Sequence, residues 1–256
     1  MKRSSRPRGA RLGQHFLAHP QIAERIVSAA LVNTEETVLE IGPGKGVLTA
    51  ALLKEGVRVV AVEADLDLTH LLKERFAAEM AERRLVLIQA DIRDYLAGSM
   101  TELPGHYAAV ANIPYYITGE IMRLLLENPH QPSSITFLMQ KEVVERIARS
   151  KKESLLSLSV KAYGAPNYQF TVPRGAFRPA PAVDSAVLSV RDISRSHFEN
   201  TAHEKRFFAL IHAGFGHKRK RLAKNLAEAG FTDEAMRVGE VRAEDLHLPQ
   251  WLALAK

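Results

Sequence analysis

Residues 37–65 read TVLEIGPGKGVLTAALLKEGVRVVAVEAD, and their pattern decides the fold. Two short apolar runs, TVLEIG (37–42) and VRVVAVEAD (57–65), are typical of buried strands. Between them, residues 48–54 carry the spacing and composition of a helix. A strand, a helix and a second strand in this order predict two parallel strands joined by a right-handed crossover.

The same alternation continues along the chain. LVLIQAD (85–91) and YAAVANIP (107–114) are predicted as the third and fourth strands, and residues 67–83 as the helical stretch before the third. SSITFLMQKEVVERIAR (133–149) indicates a strand that turns into a helix, and Pro20 suits the start of an N-terminal helix. YQFTV (168–172) and DSAVLSVRD (184–192) are expected to face each other as strands. We therefore predict an α/β fold with a Rossmann-like, mostly parallel sheet and an antiparallel edge.

The C-terminal part has a different character. A polar stretch, RDISRSHFENTAH (191–203), is interpreted as a linker. Three short helices with glycines near their ends are predicted after it, in EKRFFALIHAGF, KRLAKNLAEAGF and TDEAMRVGEV. These patterns predict two domains, an α/β domain over residues 1–190 and a small all-α domain over residues 191–256.

Composition narrows the function classes. The chain has 256 residues and no cysteine, which excludes disulfides, thiolate metal sites and a cysteine nucleophile. No apolar run is long enough to span a membrane, and the ten histidines form no ligand-like cluster, so we expect a cytoplasmic protein without a metal. The net charge is +6. Basic residues cluster at two places, which indicates a polyanion partner, or else a solvated tail and helix face: Lys2, Arg3, Arg6, Arg8 and Arg11, then Lys218, Arg219, Lys220, Arg221 and Lys224.

The ends of the first three strands suggest a nucleoside ligand, because ligands of open α/β sheets lie beyond the carboxyl ends of the strands. Gly42 and Gly44 open a glycine loop, but position 47 is Val, so the dinucleotide fingerprint is incomplete. Glu63 could accept the hydroxyls of a ribose, and Asp91 the exocyclic amine of an adenine. A ribose and an adenine without a pyrophosphate cradle favour S-adenosylmethionine. The alternatives are a simple tight turn and two surface acids.

The fourth strand ends in NIPYY (112–116). The side-chain carbonyl of Asn112 and the backbone carbonyl of Ile113 or Pro114 could grip the two N–H bonds of an aromatic amine such as adenine N6. This grip favours the pyramidal nitrogen and stabilises the positive charge that develops during attack. Pro114 stiffens the turn, and Tyr115 could stack on the base. The alternative is a turn followed by core aromatics, and Tyr116 could be either a second contact or a core residue.

The chain resembles the ribosomal RNA adenine N6,N6-dimethyltransferases of the KsgA type and the related Erm-type 23S methyltransferases. The matching pieces span the chain in order: LGQHFL (12–17), EIGPGKGVLT (40–49), VEAD (62–65), QADI (89–92), NIPYYIT (112–118), LMQKEVVERI (138–147), FRPAPAVDSAV (177–187) and KRKRLAKNL (218–226). The last resembles the tail of the dimethyltransferase branch. Two departures are His15, where the family often has Asn, and SLLSLS (154–159) in place of YGxLS.

The resemblance implies a cofactor, a target and roles for residues. S-adenosyl-L-methionine, which leaves as S-adenosyl-L-homocysteine, would contact His15, Leu17, Gly42, Gly44, Glu63, Asp91 and Asn112. Phe177 would stack on the extruded adenine opposite Tyr115. The implied substrate is a pair of adjacent adenosines in the 3′-terminal hairpin loop of 16S rRNA, within the immature small subunit, each methylated twice. The basic residues would hold the RNA backbone: Arg11, Lys218, Arg219, Lys220, Arg221 and Lys224.

Three other functions stay open at this point. An Erm-type enzyme would methylate a single 23S adenosine, but the C-terminal match favours the first reading. The chain could instead serve mainly as a ribosome-assembly factor. A nicotinamide oxidoreductase is disfavoured by Val47. We expect a monomer with no membrane partner.

Overall fold

The computed structural model describes residues 15–256. Its strands within that range are β1 (Phe16–Leu17), β2 (Thr37–Ile41), β3 (Arg58–Glu63), β4 (Leu85–Gln89), β5 (Tyr107–Asn112), β6 (Ser134–Gln140), β7 (Ala165–Val172), β8 (Phe177–Arg178) and β9 (Ser185–Arg191). One sheet has the order β4-β3-β2-β5-β6-β9-β7, and β1 pairs with β8 in a separate two-stranded sheet. Strands β4, β3, β2, β5 and β6 pair in parallel, whereas β9 is antiparallel to both β6 and β7. The predicted fold class and antiparallel edge are therefore confirmed.

The helices are α1 (Pro20–Ala30), α2 (Val47–Glu55), α3 (Leu66–Arg75), α4 (Ala77–Ala81), α5 (Ile92–Ala97), α6 (Thr118–Glu127), α7 (Lys141–Ala148), α8 (Leu155–Lys161), α9 (Thr201–Gly214), α10 (Leu222–Glu228), α11 (Thr232–Arg237) and α12 (Leu248–Leu254). Pro20 begins α1, as predicted. No helix within residues 15–256 is long and apolar enough to cross a membrane.

Two helical regions differ from the sequence prediction. The single stretch predicted over residues 67–83 is divided between α3 and α4, because Phe76 leaves helical geometry and turns its side chain into the core. The C-terminal part also contains α12, which the sequence pattern did not reveal. Trp251 anchors α12, since its ring is fully buried and its Nε1 donates a hydrogen bond of 3.2 Å to the carbonyl of Leu246.

Each face of the main sheet carries its own core. Tyr107, Ala109 and Ala111 of β5 point into one cluster with α5 to α7, while Ala108 and Val110 point into the other with α1 to α3. This alternation follows from the two-residue period of a strand. A sheet covered on both faces leaves only its ends open, so the carboxyl ends of β2 to β5 are the place for a site.

A third cluster joins the C-terminal helices around Trp251. Leu158 of α8 and Ala162, which follows α8, also belong to it, so this core reaches back across the predicted linker. Strand β9 ends at Arg191 and α9 begins at Thr201. The division into domains at residue 190 stays a prediction, and the α8 contacts tie the two parts together.

Candidate active site

A cavity opens at the carboxyl ends of β2, β3, β4 and β5. Every residue predicted from the resemblance to bind a cofactor lines it: His15, Leu17, Gly42, Gly44, Glu63, Asp91 and Asn112. Pro114 and Tyr115 line it as well. The chain thus brings together residues from five segments that are far apart in the sequence.

The glycine loop forms the floor of this cavity between β2 and α2. Gly42, Gly44 and Gly46 have φ angles of 65°, 59° and 77°, in the left-handed region that side chains other than glycine rarely adopt. A Cβ on Gly44 would lie 3.0 Å from the ring of Phe16, whereas a Cβ on Gly42 would meet nothing within 4 Å. The backbone at Gly42 is therefore open to close approach by a ligand.

Glu63 lies at the end of β3 and is 5% exposed. Its Oε2 accepts a hydrogen bond of 3.0 Å from the Gly44 N–H, and its Oε1 accepts one of 2.9 Å from the Asp65 N–H. Burial raises the pKa of Glu63, and these backbone bonds oppose the rise. Since each carboxylate oxygen can accept more than one bond, the group keeps acceptor capacity for ribose hydroxyls.

Asp91 follows β4 and is half-buried. Its Oδ1 accepts a hydrogen bond of 2.9 Å from the Arg93 N–H, so the side chain caps α5. The Arg93 side chain lies 3.8 Å from the same oxygen and 3.3 Å from Glu120. Asp91 is therefore held in place at the cavity wall by the start of its own helix.

Glu40 lines the cavity and was missed as a site residue. It is 1% exposed, and neither carboxyl oxygen has a hydrogen-bond partner among the described residues. Burial raises the pKa of Glu40 to about 8, and the carboxylate of Glu63 adds to the rise. Thr49 opposes it, although its hydroxyl does not reach hydrogen-bonding geometry with Glu40 in the described chain. An acid inside the otherwise apolar run TVLEIG was the signal that could have identified it.

Asn112 stands at the end of β5 with a fixed orientation. Its side-chain nitrogen donates a hydrogen bond of 3.1 Å to the backbone carbonyl of His15. Because a carbonyl can only accept, this bond identifies the nitrogen and leaves the side-chain oxygen on the other side of the amide. The oxygen is the group that the sequence predicted for gripping an amine.

The turn after Asn112 is built on Pro114. The carbonyl of Pro114 accepts hydrogen bonds of 3.2 Å from both the Ile117 N–H and the Thr118 hydroxyl. Of the two backbone carbonyls that the sequence left open, Pro114 is thus already engaged. The carbonyl of Ile113 is the better second acceptor.

The two tyrosines of this turn differ in environment. The Tyr115 hydroxyl lies 2.6 Å from the Ser185 hydroxyl, and its ring centroid lies 5.7 Å from that of His15. Burial raises the pKa of Tyr115, so the phenol stays protonated at neutral pH. Tyr116 lines the cavity and is 70% exposed, so it is not a core residue.

One wall of the cavity is a short N-terminal strap, defined here as residues 15–18. His15 Nδ1 lies 2.8 Å from the carbonyl of Pro179, and β1 pairs with β8 through Phe16 with Arg178 and Leu17 with Phe177. The Ala18 N–H donates to the carbonyl of Ala176 at 2.9 Å. The strap is therefore fastened to the FRPAP segment and to Asn112.

Phe177 is the predicted catalytic residue that does not line the cavity, and it pairs with Leu17 of the strap. It is fully buried, packs in the α1–α3 core, and is not among the described residues that line the cavity. Its ring would have to become exposed before it could stack on an adenine. The proposed stacking stays a prediction.

The predicted RNA-binding residues that fall within residues 15–256 are not among those that line the cavity. Lys218 and Arg219 are exposed in the loop after α9, and Lys224 is exposed on α10. The other two pair with carboxylates, Lys220 with Glu228 at 2.8 Å and Arg221 with Glu240 at 2.9 Å. Arg11 lies outside the described residues. Within those residues, no group of three or more acidic or histidine side chains is placed to hold a metal ion.

The sequence model of the family described as "Ribosomal RNA adenine dimethylase" matches residues 8–256. The chain belongs to the ribosomal RNA adenine dimethylase family. Its activity is therefore that of an S-adenosylmethionine-dependent rRNA adenine dimethyltransferase.

Known dimethylases and related enzymes agree with this assignment. The chain is 42% identical to "Ribosomal RNA small subunit methyltransferase A" from Dehalococcoides mccartyi over 221 residues, which cover 85% of this chain and 74% of the relative. The solved 23S rRNA methyltransferase ErmE superposes with a TM-score of 0.73 at 25% identity, covering 94% of this chain and 98% of ErmE. A dimethyladenosine transferase from Plasmodium falciparum superposes with a TM-score of 0.78 at 23% identity, covering 94% of this chain and 96% of that one. The similarity to the P. falciparum enzyme shows a shared fold.

Proposed function

We propose that this enzyme dimethylates N6 of two adjacent adenosines in the 3′-terminal hairpin loop of 16S rRNA, within the immature small subunit. The observation that carries this proposal is the orientation of Asn112, whose nitrogen is bonded to the strap and whose oxygen remains for a target amine. The small-subunit name of the D. mccartyi relative supports the choice of RNA.

The residues of the cavity fit S-adenosylmethionine. Gly42 offers open backbone for the methionine part, Glu63 offers carboxylate acceptors for the ribose, and Asp91 offers one for the adenine amine. His15 and Leu17 would contact the cofactor from the strap. When bound, the cofactor supplies an electrophilic methyl group on a sulfonium.

At the target end, Asn112 and the carbonyl of Ile113 would each accept one N–H of the adenine amine. Two fixed acceptors favour the pyramidal nitrogen and stabilise the charge that it gains in the transition state. No strong base is needed, because the nitrogen becomes acidic once it is cationic. Tyr115, braced by Ser185, would cover one face of the base.

RNA binding would combine base extrusion with backbone contacts. Adenines in a loop are easier to extrude than paired bases, since less stacking and pairing is lost. The exposed cations after α9 are suited to phosphates, which predicts an affinity that falls with salt.

The decisive experiment is methylation of immature 30S particles by the purified protein, with mapping of the modified nucleotides. In the cell, 16S rRNA from a deletion strain and its complemented form would be compared by mass spectrometry. The same amount of dimethyladenosine at the 3′ hairpin in both strains would refute the proposal.

The structural likeness to ErmE keeps 23S rRNA as a second candidate. An Erm-type activity would confer macrolide resistance on a sensitive host. The variants Asn112→Ala and Glu63→Ala distinguish a role mainly in ribosome assembly from a role in methylation. If either variant abolishes methylation and still supports normal 30S assembly, the binding role stands alone.

A further inference from the structure

Two cationic side chains, Lys45 and Arg93, are among the described residues that line the cavity. Arg93 is already paired, with Asp91 and with Glu120. Lys45 lies in the glycine loop, and its Nζ sits 5.2 Å from the ring centroid of Phe16 in the strap. Within residues 15–256 it has no carboxylate at ion-pair distance, so its charge is available.

The rest of the cavity is suited to positive charge. Glu63 and Asp91 both line it and offer only oxygen acceptors when ionised. The amino-acid tail of S-adenosylmethionine carries an ammonium and also an α-carboxylate. A carboxylate placed among these acids needs a donor or a cation beside it.

The glycine N–H groups of the loop are already engaged inside the protein. Pro43 has no N–H, and the three glycine N–H groups are donated inside the protein: from Gly42 to Val62 O at 2.9 Å, from Gly44 to Glu63 Oε2 at 3.0 Å, and from Gly46 to Pro43 O at 2.9 Å. The loop therefore differs from an anion cradle in which successive N–H groups point at the ligand. The side chain of Lys45 supplies a positive charge beside these engaged N–H groups.

We propose that Lys45 binds the α-carboxylate of S-adenosylmethionine and holds the methionine tail between the glycine loop and the strap. This inference rests on the cofactor named in the proposed function. Phe16 keeps the ammonium over the cavity through its ring face. Lys45 is then a determinant of selectivity between the intact cofactor and adenosine ligands without a carboxylate.

The test is calorimetric titration of the full chain with S-adenosylmethionine and with decarboxylated S-adenosylmethionine, which keeps the ammonium and the sulfonium. Lys45→Ala should weaken binding of the intact cofactor by about fivefold, as expected for a partly solvated ion pair. It should change binding of the decarboxylated form by less than about twofold. Lys45→Arg should restore most of the lost affinity, because it restores the charge.

Lys54→Ala is the matched control, since Lys54 is an exposed lysine of α2 that pairs with Glu24 outside the cavity lining. Equal losses of affinity for both ligands in Lys45→Ala would overturn the inference, because they would show that Lys45 only maintains the conformation of the loop. Unchanged binding of both ligands would also overturn it, and a weaker salt dependence of RNA binding would then identify a phosphate contact. If the wild-type protein binds neither ligand, the proposed cofactor itself is wrong.

Discussion

Replacing Glu40 with Gln is expected to stabilise the protein at high pH and to have little effect at low pH. Glu40 is buried without a hydrogen-bond partner among the described residues, and its pKa is raised from 4.5 to about 8. An acid with a raised pKa contributes its full stability below the pKa of the unfolded chain. That contribution is lost progressively between the unfolded and the folded pKa values, because the unfolded chain gives up the proton while the buried carboxyl still holds it.

The size of this effect follows from the two pKa values. One pKa unit corresponds to about 1.4 kcal/mol, so the interval between 4.5 and about 8 amounts to about 5 kcal/mol. About 4 kcal/mol of it is lost between pH 5 and pH 9. Gln has nearly the same shape and does not titrate, so the difference between variant and wild type isolates this contribution.

The assay is urea unfolding of wild type and Glu40→Gln at pH 5, 7 and 9, followed by circular dichroism. The difference in unfolding free energy should grow steadily in favour of the variant as the pH rises. Glu55→Gln, at an exposed position at the end of α2, should show no such trend. A difference that stays flat from pH 5 to pH 9 would refute the reasoning, since it would mean that Glu40 is ionised or partnered in the folded protein.

Three further outcomes are expected. Asn112→Ala should lower the single-turnover methylation rate by about 100-fold or more, because it removes an acceptor that acts in the transition state; a loss below tenfold would argue against that role. Phe177→Ala should lower turnover more than cofactor affinity, but truncating a buried ring should also destabilise the fold by about 3–5 kcal/mol, so melting curves must accompany the kinetics. Alanine at Lys218, Arg219 and Lys224 should reduce the slope of log affinity for RNA against log salt concentration by about one for each phosphate that is no longer neutralised. Cofactor affinity should not change. An unaltered slope would show that these residues do not contact RNA phosphates.

The sheet and the positions of the cavity residues could be predicted because they depend on local pattern. A strand buried on both faces must be a nearly continuous apolar run, and TVLEIG, VRVVAVEAD and YAAVANIP show such runs. Once the strands are parallel, their last residues must share one edge. Gly42, Glu63 and Asn112 therefore meet at the cavity.

What escaped prediction depends on contacts between distant residues. The burial of Phe177 follows from its pairing with Leu17, far away in the sequence, which no local period encodes. The orientation of Asn112 depends on a bond to the backbone of His15, and backbone carbonyls carry no sequence information. Trp251 anchors α12 through packing with α9 and α10, although the helix is too short to show a clear period.

The bond between Asn112 and the strap makes one amide serve two tasks. Its nitrogen is bonded to the strap, and its oxygen is the acceptor that the proposed function assigns to the target amine. If displacement of the strap frees this amide to rotate, release of the demethylated cofactor also weakens binding of the target adenine. By thermodynamic reciprocity, a bound adenine then stabilises the strap in its closed position. Four methyl transfers need four molecules of cofactor. At each cofactor exchange, dissociation of the RNA would therefore compete with the next methyl transfer.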